Sequence, residues 1–225
     1  MSWFLNEQEK FVFNLPFSTM VVGPSGCGKT ALVSRILLNS QQLFDKRVDR
    51  IVFCYSVWQP AYEIFKFLPT NVEFVLGLSE SLEFSPLKTN VLVIDDLFAS
   101  AKDSINIQNL FAVESHHKNI SVFLIAHNIF TKGHFSRDLS LNSSNLIIFR
   151  NPRDSIQVGV LARQIFPNKS KAFMEIFDDA TKDVPHGYIF LDFKQSTRSR
   201  MRIQSRIVGN DNNDQHHRII YTINE

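Results

Sequence analysis

Glycine is scarce in this chain, eight in 225 residues, yet three of the eight fall within six positions, at Gly23, Gly26 and Gly28. Cysteine is scarcer still. Cys27 and Cys54 supply neither a disulfide framework nor a four-ligand zinc site. Net charge is only +2, too small to argue for a nucleic-acid partner until the distribution of charge is examined. No apolar run approaches the roughly 20 residues that span a bilayer, so no membrane partner is expected. The opening residues MSWFLNEQEKFVFN lack a basic start followed by an apolar stretch and do not read as a signal peptide. The expectation is a soluble intracellular protein. Apolar residues, by contrast, are plentiful. Hydrophobic residues make up 44 %, with 21 phenylalanines, which excludes a disordered chain. The length fits one large domain or two small ones with a well-filled core.

Short apolar segments recur: FSTMVV (17–22), DRIVFCYS (49–56), VEFVLG (72–77), NVLVIDD (90–96), ISVFLIAH (120–127) and NLIIFR (145–150). Several are apolar throughout, as parallel strands covered on both faces are. Helical spacing separates them. Leu32 and Val33 repeat at Ile36 and Leu37; Ile107, Leu110 and Phe111 form a second set, and Ile156, Val160 and Leu161 a third. Alternating strand and helix predicts an α/β fold with a mostly parallel sheet and right-handed crossovers. HGYIFLDF and SRMRIQSRIV, joined by KQST, predict an antiparallel hairpin appended to that sheet. No repeat and no domain boundary is evident. Residues 1–208 are expected as a single domain, with 209–225 a tail that is flexible or an edge strand.

The glycine cluster lies in VVGPSGCGKT (21–30), and Gly23 to Thr30 fits the phosphate-binding loop GxxxxGK followed by Thr. Glycine lets backbone N–H groups face phosphates without an intervening Cβ, and the helix that follows adds its positive dipole end. Gly23, Pro24, Ser25, Gly26, Cys27 and Gly28 would cradle the phosphates. Lys29 would reach the β- and γ-phosphates, and the Thr30 hydroxyl would ligate Mg²⁺. Cys27 would contribute only its N–H.

The apolar strand NVLVIDD ends in Asp95 and Asp96, and ligands of open parallel sheets bind at the carboxyl ends of strands. Asp95 is the expected Mg²⁺ partner, acting through water. Asp96 stands where hydrolysing motors often carry a glutamate that orients the attacking water. Two apolar segments separate the loop from Asp95, which suggests a further strand between the loop strand and the Asp95 strand, the additional-strand division of P-loop ATPases. ISVFLIAHN ends in His127 and Asn128; Asn128 is the candidate sensor of the γ-phosphate, a turn asparagine the alternative. No Asn-Lys-x-Asp base-reading motif is present, which favours ATP over GTP.

GPSGCGKT, VLVIDDL, ESHHKNISVFLIAHNIF, RDLSLNSSNLIIFRNPRDSIQVGVLARQIFP and GYIFLDF together resemble the poxvirus-type genome-packaging ATPases. These sit among the FtsK/HerA-type DNA translocases, and the likeness is nearest to versions from Polinton-like viruses, adintoviruses and virophages. It spans about residues 14 to 208, and SLNSSNLIIFRNPRD with LARQIFP carries most of its specificity. The resemblance implies a homo-oligomeric ring that uses ATP and Mg²⁺ to drive double-stranded DNA into a preformed capsid. A capsid or portal-vertex protein would be the partner, and the site of virion assembly in the host cell the location. It also implies an arginine finger from the neighbouring subunit: Arg137 and Arg163 occupy motif positions, with Arg150 in reserve. The family often has Gln-Asn where this chain has His127-Asn128.

Arg198, Arg200, Arg202 and Arg206 are spaced by even numbers, and no acidic residue occurs from 194 to 208. On a strand they would project from one face and meet DNA phosphates without reading bases; a charged edge that prevents sheet aggregation is the alternative. His116 and His117 lack a third ligand at metal spacing and read as a polar helix end. A P-loop nucleotide or nucleoside kinase and a nucleotide-switched assembly protein without motor activity are the rival readings. The kinase leaves the resemblance between 121 and 167 unexplained.

Overall fold

The computed structural model describes residues 4–5, 10–79, 82–97, 107, 109–110, 118–130, 142–208 and 218–223. Its strands are β1 (Phe4–Leu5), β2 (Ser18–Val22), β3 (Arg50–Tyr55), β4 (Val72–Leu76), β5 (Asn90–Asp95), β6 (Ile120–Ala126), β7 (Asn145–Phe149), β8 (Tyr188–Asp192), β9 (Ile203–Ser205) and β10 (Ile219–Tyr221). They form one sheet in the order β1-β10-β9-β8-β7-β2-β6-β5-β3-β4. From β7 to β4 every pairing is parallel, and from β7 through β8, β9 and β10 to β1 every pairing is antiparallel. Every residue of β2, β5, β6 and β7 is buried, the physical reason their sequences are mostly apolar without a polar-apolar alternation.

Helices cover both faces. On one, α1 (Lys29–Leu38) lays Leu32, Val33, Ile36 and Leu37 against Val21, Val93, Phe123 and Ile125. Each side chain buried in this way contributes about 1.5–3 kcal/mol relative to exposure. A short α2 (Ser40–Leu43) continues it, and a 3-10 segment (Pro60–Phe67) adds Tyr62 and Phe65 to the same layer. Several phenylalanines interlock there, with ring centroids 4.9 Å apart for Phe13–Phe17 and 5.0 Å for Phe17–Phe123. On the opposite face, α3 (Ile156–Ile165) and α4 (Ser170–Thr181) pack Leu161, Phe173, Ile176 and Phe177 against Met20, Leu124, Leu146 and Ile148.

The expected additional strand is present, but it is β6, paired with β2 on one side and β5 on the other. The two segments that precede Asp95 in sequence lie beyond β5, as β3 and β4. The tail supplies β10, which is not the edge: β1 pairs outside it. The expected helix around Ile107 falls largely outside the described residues, as do His116, His117 and Arg137.

The terminal hairpin departs from expectation. β8 and β9 are antiparallel neighbours, but β9 begins only at Ile203, after a 3-10 turn at Ser199–Met201. Met201 N donates to Arg198 O at 2.8 Å and Arg202 N to Ser199 O at 3.3 Å, closing that turn. Arg206 follows the strand with φ 53°. The four arginines therefore do not share a strand face. Their even spacing is cut by a local turn in the polar Thr197–Met201 stretch, which has no buried side chain to hold it extended.

Candidate functional site

Strand β2 ends at Val22, and the chain swings through Gly23–Gly28 into α1. Gly26 and Gly28 have φ of 76° and 105°, the left-handed region that glycine enters without steric cost. Gly23 is fixed by space instead, since a Cβ there would stand 2.7 Å from both Cys27 Sγ and Phe149 Cβ. No side chain caps α1, and its first turn has no acidic residue. The positive end of the helix is thereby left for an anion.

Lys29 is buried at the start of that helix, and its Nζ donates to Gly23 O at 2.7 Å and Pro24 O at 2.9 Å. Burial pulls its pKa below the ordinary lysine value, against the pull of negative charge at Asp95 and Asp96. A buried ammonium whose hydrogen-bond partners among the described residues are two neutral carbonyls is poised to prefer a polyanion. Cys27 Sγ, beside it, is an ordinary thiol whose pKa burial pushes up, the opposite of a reactive cysteine.

Asp95 closes β5 at the same edge of the sheet and is 5 % exposed. Thr30 Oγ1 donates to its Oδ2 at 3.3 Å, and Tyr62 Oη donates to the same oxygen at 2.9 Å. Burial raises the Asp95 pKa, while these two hydrogen bonds and the Lys29 charge oppose the rise. Tyr62, on the 3-10 segment, is a site residue that no motif discloses. It is 1 % exposed, and its own pKa is raised by burial and by the Asp95 charge. Its ring packs on Phe53 at 4.7 Å and on Trp58 at 5.5 Å.

Tyr62→Phe keeps that packing and removes one donor from a buried carboxylate. It is expected to cost about 1.5–3 kcal/mol of unfolding free energy at neutral pH, the range for a hydrogen bond to a charged group. Urea denaturation measures it, and an unchanged midpoint would show that the hydroxyl is dispensable.

Asp96 turns outward. It follows β5 with φ 54°, is exposed, and lies 3.2 Å from His127 Nε2 at the end of β6. Asn128 faces a different partner: its Oδ1 accepts from Gln157 Nε2 at 3.3 Å, and it borders a small hollow with Gly23, His127 and Phe149. Of the two residues that follow β6, His127 meets the second aspartate. Arg163 is exposed in the last turn of α3. Arg150, just past β7, is paired with Asp178 of α4 at 2.6 Å. Arg198, Arg200 and Arg206 are exposed, while Arg202 donates to Asp192 O at 3.2 Å.

The donor set suits a hard divalent cation. Thr30 and Asp95 offer two oxygens beside a loop shaped for phosphate. Among the described residues no cluster of three or more His, Cys, Asp or Glu forms a protein-only metal cage. Mg²⁺ is commonly held in this way, by one or two protein oxygens together with phosphate and water.

A glycine loop between strand and uncapped helix, with an acid-tipped strand one place beyond an intervening strand, defines the P-loop NTPase fold of the additional-strand type. Among solved structures the chain is similar to the genome packaging NTPase B204 from Sulfolobus turreted icosahedral virus 2. The sulfate complex of that protein gives a TM-score of 0.53 at 11 % identity, over 84 % of this chain and 95 % of that one. The complexes with ATP-gammaS and AMPPCP give 0.51 at 13 % and 0.50 at 12 %, each over 84 % and 96 % of the two chains. At such identities the likeness is one of fold. No protein-family model and no curated protein sequence matches the chain.

Proposed function

We propose that this chain is an ATP-driven motor that moves double-stranded DNA, and that its task is the packaging of a viral genome into a preformed capsid. The observation that carries the reading is the junction of Thr30 with Asp95 at 3.3 Å, made across an intervening strand directly in front of an uncapped helix. The fold likeness to B204, a genome packaging NTPase solved with ATP-gammaS and AMPPCP, supports the choice of ATP and of packaging.

In this reading the loop N–H groups from Ser25 to Gly28 and the ammonium of Lys29 hold the triphosphate and stabilise charge that builds up as the terminal phosphoryl group leaves. Mg²⁺, held between Thr30 and Asp95, would supply further charge neutralisation. Tyr62 keeps the Asp95 carboxylate oriented and ionised. Asp96, exposed at the edge of the site, orients and deprotonates the attacking water, and His127 positions Asp96. Arg163 or Arg137 of a neighbouring subunit would complete the site in a homo-oligomeric ring. Arg198 and Arg200 would offer charge to DNA phosphates from the 3-10 turn and its N-cap rather than from a flat strand. The partner would be a capsid or portal-vertex protein where virions assemble in the host cell.

ATP turnover measured with and without double-stranded DNA, beside a mass measurement of the assembly, tests this. Turnover that rises with DNA in a ring-sized assembly is expected. Phosphoryl transfer to a nucleoside, or no hydrolysis with DNA present, would overturn it. Asp96→Asn is expected to keep ATP binding within about twofold while lowering kcat by about 10² or more, as loss of a general base does. Lost binding in that variant would mean that Asp96 is not the base.

A further inference from the structure

The turn that leads into β8 meets the phosphate loop from the side opposite Asp95. β8 runs antiparallel to β7, so its first residues emerge at the edge where the parallel strands end, and β8 and β5 flank β2 symmetrically, each two places away. His186, in that turn, places Nδ1 2.9 Å from Cys27 O, and its ring occupies the space that a Cβ on Gly28 would need. Beyond the histidine opens a cleft of about 500 Å³ whose walls include Arg35 of α1, Ala180 of α4, Val184, His186, Arg206 and Val208. Asp183, His186 and Arg206, three of the non-glycine residues held at left-handed φ (57°, 54° and 53°), all line it. Backbone strain of this kind gathers at ligand sites, where the surrounding structure enforces it.

We propose that this cleft receives the nucleoside half, ribose and base, of the triphosphate whose phosphates the loop holds; the inference rests on the nucleotide reading above. Thr30 and Asp95 mark the metal end of the triphosphate on the β5 side, so the nucleoside leaves the loop on the other side, past Gly28 and His186. Arg35 lies six residues beyond Lys29 on α1, roughly 9 Å along the helix axis at 1.5 Å per residue, and forms part of the cleft wall. Pockets for small ligands fall in the same range of size, with apolar walls and a few polar groups that fix orientation. Here Ala180, Val184 and Val208 give the apolar wall. The flat guanidinium groups of Arg35 and Arg206 give surfaces on which an aromatic base stacks.

Calorimetric titration of the full chain with ATP, ADP and inorganic tripolyphosphate, each with Mg²⁺, tests the assignment. Arg206→Ala and the cleft-filling Val184→Trp are expected to weaken ATP and ADP at least tenfold and to leave tripolyphosphate within twofold. Wild-type affinity for ATP in both variants would overturn the cleft and leave the phosphate loop standing. An equal loss of ATP and tripolyphosphate would also overturn it, because the nucleoside half would not be what changed. A wild-type protein that binds neither would overturn the nucleotide reading itself. Photolabelling of the unaltered chain with 8-azido-ATP gives an answer even if Val184→Trp fails to fold. Label on residues 183–188 or 204–208 supports the site, and label confined elsewhere refutes it.

Discussion

Lys29→Ala is expected to lower ATP turnover by at least about 10²–10³, the loss that follows removal of one preorganised donor to developing charge. The buried ammonium already lies inside the loop on Gly23 O and Pro24 O, so phosphate oxygens replace two neutral acceptors without a large side-chain movement. Alanine removes the charge and leaves both carbonyls without their donor. Near-normal turnover in a steady-state assay would refute the site. The same variant tests assembly. If an arginine acts across a subunit boundary, Lys29→Ala protein mixed with Arg163→Ala protein should regain turnover that neither has alone, because some interfaces then combine an intact loop with an intact arginine. No recovery in mixed assemblies would count against Arg163 acting in trans.

Gly23→Ala is expected to be the most damaging single methyl group in the loop. The added carbon would meet Phe149 Cβ at 2.7 Å, and that atom is anchored to the backbone of β7, whereas Cys27 Sγ at the same distance can rotate away. The loop must therefore move. Overpacking of this kind costs about 1–3 kcal/mol, and the displaced backbone is the one that faces the phosphates. A lower melting temperature together with lost ATP binding is expected. Gly26→Ala separates strain from crowding, since a Cβ at that position would have nothing within 4 Å and only the positive φ of 76° is penalised, at about 1–2 kcal/mol. If Gly23→Ala bound ATP normally, the contact with β7 would have no bearing on the loop.

The sheet was legible because its central strands are buried on both faces, so the apolar stretches 20–22, 91–94, 122–126 and 146–149 stand out within β2, β5, β6 and β7. The loop was legible because its glycines answer local needs of φ and space that no other residue meets. Helix α4 does not appear among the expected elements, although Phe173, Ile176, Phe177 and Ala180 sit at helical spacing; that signal was available. Tyr62 was not available, since its link to Asp95 spans 33 residues and is made by a short 3-10 segment with no motif. The arginine row misled because even spacing implies one face only if the backbone is extended. The lone buried run Ile203–Ser205 extends just three residues of it.

Trp58, one of two tryptophans in the chain, rests on Tyr62, and Tyr62 rests on Asp95. A native fluorophore thus stands two contacts from the carboxylate, and filling of the pocket should be visible as a change in its emission, in the unlabelled protein and in real time.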